Sequence, residues 1–181
     1  MTFLRNPISR VISHYGDMVC RAHDRRDFET CLREDEKLQN LQVKFIAGEL
    51  NLQKAKAALE QFDFVGITER FDLSLLVLNH LSPRKLCLNY KRKRLASDRS
   101  MNEKLRSNIK AIELAKEVNA LDLELYEFGI NEIFPKLCEN AGVTPLEKIP
   151  PLDTFQHQLQ WKYVIGRWYN QFFRQLCKLR T

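Results

Sequence analysis

No apolar run in this 181-residue chain approaches the roughly 18–20 residues that a helix needs to span a bilayer. The opening residues, Met1 to Pro7, fit neither a signal peptide nor an anchor, because Arg5, Asn6 and Pro7 interrupt the apolar start at once. A cytoplasmic chain is therefore expected. Cysteine stands only at positions 20, 31, 87, 138 and 177, an odd, scattered set with no Cys-x-x-Cys. That argues against a disulfide framework and against a tetrahedral zinc site, leaving reduced thiols as the expectation. No metal is implied. There is also no glycine-rich phosphate loop, no internal repeat and no low-complexity tract.

What is present is an ordinary globular mixture, 44% hydrophobic and 29% charged, long enough for one domain with a sizeable core. The formal net charge of +6 suits an anionic partner without saying which one. Phosphorylated nucleotide, sulfated sugar, nucleic acid and lipid head group are all open on charge alone.

Thr2 to Arg5 reads as a short strand. Asn6 can cap a helix whose first position is Pro7. Ile8, Val11, Ile12, Tyr15 and Val19 then recur with the spacing of a helix face, while Asn6, Ser9, Arg10 and Ser13 share the other side. Residues 24–50 read as helix broken near Asp35, with Gly48 a plausible stop. A helix from Leu52 to about Gln61 leads into a second strand candidate, Phe62 to Ile67. Thr68 is expected to cap a helix from Glu69 to about His80, apolar nearly all round and so expected to be buried. Strand, helices, strand, helix is the pattern of an α/β unit with a crossover. Further helices are expected from about Asn102 to Val118 and from Leu121, the latter kinked by Pro135 and ended by Gly142. Residues 143–151, with three prolines, read as a linker, dividing a main unit (1–150) from a C-terminal amphipathic helix (151–181).

Three of these segments together resemble a family. Phe3-Leu4-Arg5-Asn6-Pro7-Ile8-Ser9-Arg10-Val11-Ile12-Ser13-His14-Tyr15 resembles Arg-x-Pro-x-x-Arg-x-x-Ser-x-Tyr, the strand–helix motif of sulfotransferases that use 3′-phosphoadenosine 5′-phosphosulfate (PAPS). Phe64 to Leu75 is similar to the Gly-(Leu/Ile)-Thr-Glu-Arg-Phe-Asp-x-Ser-Leu segment of the family's carbohydrate branch, which includes heparan, chondroitin and dermatan sulfotransferases and bacterial relatives. Asn119 to Tyr126 is similar to that branch's downstream Asn-x-Leu-Asp-x-x-Leu-Tyr. The blocks fall in the family's order. The resemblance implies the C-terminal part of a P-loop-type sulfotransferase fold, mostly helical with a remnant parallel sheet. It also implies PAPS as donor and a hydroxyl acceptor, expected to be a carbohydrate; no nucleic acid is expected as a partner.

The chemistry of the first block can be stated independently. A nucleotide 3′-phosphate is close to doubly charged, and an arginine at a strand end offers a planar fork of donors to grip it. The start of a following helix adds backbone N–H groups and a favourable dipole. By resemblance, Arg5 and Ser13 hold the 3′-phosphate; the plainer reading makes them solvated polar residues beside a capped helix. Arg10 is open to a phosphate contact or to a salt bridge. Tyr15 sits on the apolar stripe and reads as core. His14 titrates near neutrality, but the family places no base there. Gly66, Thr68 and Glu69 suit a tight strand exit and helix start, and by resemblance lie near the adenosine or shape the acceptor cleft. The block around Leu121 reads as packing.

Lys91, Arg92, Lys93 and Arg94 form a basic loop. By resemblance it returns over the nucleotide, Lys91 and Arg92 adding cations to the 3′-phosphate; as a solvated loop or weak nucleic-acid footprint it would do nothing of the kind. Residues 153–179 combine Phe155, Trp161, Tyr163, Trp168, Tyr169, Phe172 and Phe173 with Arg167, Arg174 and Lys178, and Arg180 follows directly. Packing on the domain, contact with a sugar acceptor and contact with an anionic membrane are all open to such a helix. Sulfuryl transfer also needs cations at the donor's 5′-phosphosulfate and a base for the acceptor hydroxyl. The family carries both upstream of its strand–helix motif, with which this sequence begins, so the catalytic residues are expected outside these 181. A nucleotide-binding remnant without activity is one alternative, and a basic interaction protein with an anionic partner is another.

Overall fold

The computed structural model describes residues 1–84, 86, 88 and 99–143. The basic run 91–94 and the aromatic segment 153–179, with the sequence readings made of them, lie outside the described residues.

β1 (Thr2–Leu4) runs almost directly into α1 (Pro7–Arg21). The start of α1 follows from its sequence: Asn6 Oδ1 accepts from the Ser9 amide at 3.0 Å, and Pro7 occupies the first turn, where a missing N–H costs nothing. Val11, Ile12 and Tyr15 are buried on its inner face. Tyr15 is core, its hydroxyl donating to the Arg26 carbonyl at 3.0 Å. The helices α2 (Phe28–Glu34), α3 (Leu41–Ala47) and α4 (Leu52–Glu60) follow, with a 3₁₀ turn, Glu36–Leu38, between the first two. The break falls at Asp35, which leaves α2 and caps the 3₁₀ turn with its carboxylate. α3 stops at Gly48, where φ is +76°.

β2 (Val65–Ile67) pairs with β1 in parallel, Phe3 opposite Gly66, so α1 to α4 form the crossover. The molecule is thus mostly helical around a small parallel sheet. β2 is shorter than the sequence suggests, although the Phe64 carbonyl still accepts from the Thr2 amide at 3.0 Å. A Cβ at Gly66 would lie 2.3 Å from the Phe3 ring, so only glycine lets that ring cross the sheet face between Phe64 and Phe71.

The next stretch departs from expectation. Thr68–Arg70 is a 3₁₀ turn without a side-chain cap, and α5 begins at Phe71 and runs to Leu81. Glu69 is drawn away to contacts described below, so the chain cannot yet close an α-helical turn around it. Nor is α5 buried all round: Leu73, Ser74 and Val77 are buried, whereas Leu75, Leu76 and Leu78 are half-buried. Its Ser74 hydroxyl exchanges hydrogen bonds with the Ile67 backbone, fastening α5 to β2.

The single helix expected over 102–118 is two, α6 (Arg99–Ser107) and α7 (Ile109–Val118). Asn108 divides them by capping the second, accepting from the Ala111 amide at 3.2 Å. α8 (Ala120–Phe128) and α9 (Phe134–Asn140) are joined by a π-helical turn, Gly129–Ile133. Pro135 explains it, since a proline cannot donate to the carbonyl four residues back and its ring crowds that carbonyl. Widening the preceding turn, with the Phe134 amide reaching Gly129, makes room. Gly142, with φ at +65°, ends this run. Among the described residues no helix is long and apolar enough to cross a membrane. The described cysteines Cys20, Cys31 and Cys138 are free thiols.

Candidate anion-binding site

The three sequence blocks that stand far apart along the chain meet at the carboxyl ends of β1 and β2. The Asn6 amide, at the β1–α1 junction, donates to Glu69 Oε1 at 2.9 Å, and the Tyr126 hydroxyl of α8 donates to Glu69 Oε2 at 2.9 Å. Glu69 thereby ties the first block to the third. Burial, together with the Glu69 carboxylate, pushes the Tyr126 hydroxyl up from its ordinary range.

A second set of contacts runs behind Arg5. The Arg5 amide donates to Gln42 Oε1 at 3.0 Å, and Gln42 Nε2 donates back to the Arg5 carbonyl at 2.9 Å. The Gln42 side chain acts as a one-residue strand beside Arg5. Its backbone amide and that of Val43 donate to the two oxygens of Asp122 at 3.0 and 2.8 Å, so Asp122 caps α3 from another helix, α3 having no side-chain cap of its own. Asn119 completes the set: its Oδ1 accepts from the Asn40 amide at 3.0 Å, and its Nδ2 donates to the Leu38 and Ala115 carbonyls. Asn119 and Asp122 are both fully buried.

Arg10 turns into this network. It donates to the Lys37 carbonyl at 3.1 Å and to Asn119 Oδ1 at 3.3 Å, and stands 3.9 Å from Asp122. Burial pushes its guanidinium down from the ordinary value; Asp122 holds it up, and Arg5 adds to the downward push. Burial likewise pushes the Asp122 carboxyl up, while the Val43 and Gln42 amides and Arg10 pull it back. Of the two roles open to Arg10, the salt bridge is the one it has.

Arg5 is different. Its backbone is locked and its side chain is half-buried, yet among the described residues its guanidinium has neither a carboxylate nor a hydrogen-bond acceptor as partner. Four residues on, α1 carries a polar stripe, Ser9 and Ser13 one turn apart and both half-buried. Arg106 reaches this stripe from α6, its Nη2 standing 3.4 Å from Ser9 Oγ. The helix start offers less than the sequence suggests: the Asn6 amide is taken by Glu69, Pro7 has no N–H, and the Ser9 amide is taken by Asn6. An anion here would be held mainly by side chains, Arg5, the serines and Arg106.

Of the residues singled out from the sequence, Arg5 stands at the β1–α1 junction and Ser13 lies half-buried on α1, while Lys91 and Arg92 lie outside the described residues. His14 is half-buried on α1 and plays no part in the network. Gln42, Asn119, Asp122 and Arg106 are the participants that sequence reading missed or took for packing, while Glu69 was read as a helix-start acid and not as the tie between blocks. Asp122, like Glu69, carried a local signal, an acid in the first turn of a helix. No family model matches the chain, no curated protein is similar to it, and no solved structure resembles it.

Proposed function

We propose that this chain is a sulfotransferase-type protein. On this reading the β1–α1 unit binds the 3′-phosphate of PAPS, for sulfuryl transfer to a hydroxyl, that of a carbohydrate being the acceptor class. The observation that carries the reading is the Arg5 guanidinium, without a partner among the described residues and placed at the carboxyl end of a parallel strand. That end of an α/β sheet is where ligands generally sit. An arginine held so, with its backbone fixed by Gln42, loses little freedom on gripping a phosphate and can do so with two parallel bonds. Ser13 adds a hydroxyl donor from the stripe on α1. The meeting of Asn6, Glu69 and Tyr126 supports the reading further, because the three blocks behind the family resemblance form one hydrogen-bonded unit. The transfer itself requires cations at the donor's 5′-phosphosulfate and a base, and none of the residues described above is assigned either role.

Calorimetric titration of adenosine 3′,5′-bisphosphate into the chain tests this. One-to-one binding is expected, weakened about tenfold or more in Arg5→Ala, the loss usual for a charge-assisted hydrogen bond. Ser13→Ala should weaken it less. A well-folded chain that takes up no bisphosphate would refute the donor site and favour a basic interaction protein instead.

A further inference from the structure

α6 lies along the serine stripe of α1. Asn102 and Arg106, one turn apart on α6, meet α1 at two places: a Cβ at Gly16 would lie 3.3 Å from Asn102 Oδ1, and Arg106 reaches Ser9. Ser9, Ser13 and Gly16 share one side of α1, so Ser13 falls between the two contacts and the helices run antiparallel. Gly16 eases the approach, since a Cβ there would press Asn102 Oδ1 back by a few tenths of an ångström. Arg106 thereby arrives at the strand end of the stripe, at Ser9.

We propose that Arg106 is the second cation of the site formed by Arg5 and the serines, and that the pair makes it selective for a dianionic phosphate monoester over singly charged groups such as a sulfate ester or phosphodiester. This rests on the donor reading above and adds the ligand's charge class and a residue on a separate helix. Two observations bear on Arg106. Among the described residues its one hydrogen bond, at 3.4 Å to a neutral hydroxyl, is long, and no carboxylate pairs with it. Arg10, which would otherwise be the nearer second cation, is consumed by Asp122, Asn119 and the Lys37 carbonyl. A monoester above its second pKa of about 6 carries close to two charges and three acceptor oxygens. Two guanidinium groups match that charge, whereas a singly charged ester leaves one of them uncompensated.

The test is calorimetry on the full chain with two probes, adenosine 3′,5′-bisphosphate and its 3′-methyl ester, in which the 3′ group is a singly charged phosphodiester. Arg106→Ala should weaken the bisphosphate about tenfold or more and weaken the 3′-diester far less. Arg106→Lys should restore part of the loss. The wild-type affinity should also fall as pH drops through about 6, where the monoester takes up a proton, with a shallower fall in Arg106→Ala. Arg106 is exposed, so neither substitution threatens the fold. A wild-type chain that binds the bisphosphate, with Arg106→Ala titrating identically, overturns the Arg106 assignment and leaves the donor reading standing. Equal weakening of both probes overturns it too, because Arg106 would then not discriminate by the charge of the 3′ group. Failure of the wild-type chain to bind refutes both.

Discussion

Two apolar cores lie side by side in this molecule, and they differ from the seam that joins them. The first surrounds the sheet, with Leu4, Val65 and Ile67 packed against Leu59, Val77, Leu125 and Phe134. The second is wholly helical: Val11, Ile12, Leu32, Leu38 and Ala115. Between them run Arg10, Asn119 and Asp122. Asn119 bonds to the Leu38 and Ala115 carbonyls on one side, and Asp122 to the Val43 amide on the other. Burial of apolar surface is non-directional and tolerates many arrangements. A buried polar seam does not, because each group needs its partner in place. The cores therefore supply most of the stability, while the seam fixes how α1, α3 and α8 sit together and so where Arg5 points.

That division is broken most directly at Asp122. Asp122→Ala leaves a buried guanidinium without its counter-ion and two α3 amides without their acceptor, and should cost about 3–5 kcal/mol in urea denaturation, the range for breaking a buried pair. Hydrogen exchange should then find the two cores opening separately, where the wild-type chain opens them together. A loss within about 1 kcal/mol, the range of surface pairs, would mean that the seam fixes nothing.

The first core is sharpened at Gly66. A methyl group there meets the Phe3 ring, itself held against Phe64 and Phe71, so Gly66→Ala should cost about 1–3 kcal/mol as overpacking does. Combining it with Phe3→Ala should cost less than the two separate losses added together. Strict additivity would show that the ring is not the obstacle.

The same contrast decides what could be read from the sequence. The cap at Asn6, the face Val11–Ile12–Tyr15 and the stop at Gly48 follow from local pattern, because they depend on residues a few positions apart, while the parallel pairing of the two strands follows from the order strand, helices, strand. The split at Asn108 was hidden because that residue sits in a polar stretch with no proline or glycine. The π turn was missed because Pro135 announces a disturbance without saying which form it takes. Glu69 looks from the sequence like a first-turn acid of α5. Its partners lie 63 and 57 residues away, and no periodicity carries that information. Arg10 and Arg5 are identical residues five positions apart, and only the fold assigns one to the seam and leaves the other open.

The smallest expected effect comes from a pair with the chemistry of Arg10 and Asp122 in the opposite setting. Asp24 accepts from the Arg26 amide, Nε and Nη2 at 3.0, 3.1 and 2.6 Å, in the exposed turn between α1 and α2. These bonds lower its carboxyl from 3.8 to about 2, whereas burial raises that of Asp122. A depressed carboxyl contributes stability that is fully present above the unfolded value and lost as pH falls through the folded one. Asp24→Asn should therefore lower the melting temperature slightly near neutrality, and the gap to the wild-type chain should close as pH drops from 3.8 toward 2. Added salt should narrow it as well, since an exposed pair is screened. A gap that holds constant with pH would show that the charge on Asp24 is immaterial and that only its hydrogen-bonding shape orders the turn. A gap as large as that of Asp122→Ala would erase the distinction between seam and surface, because burial would then no longer decide what an ion pair is worth in this fold.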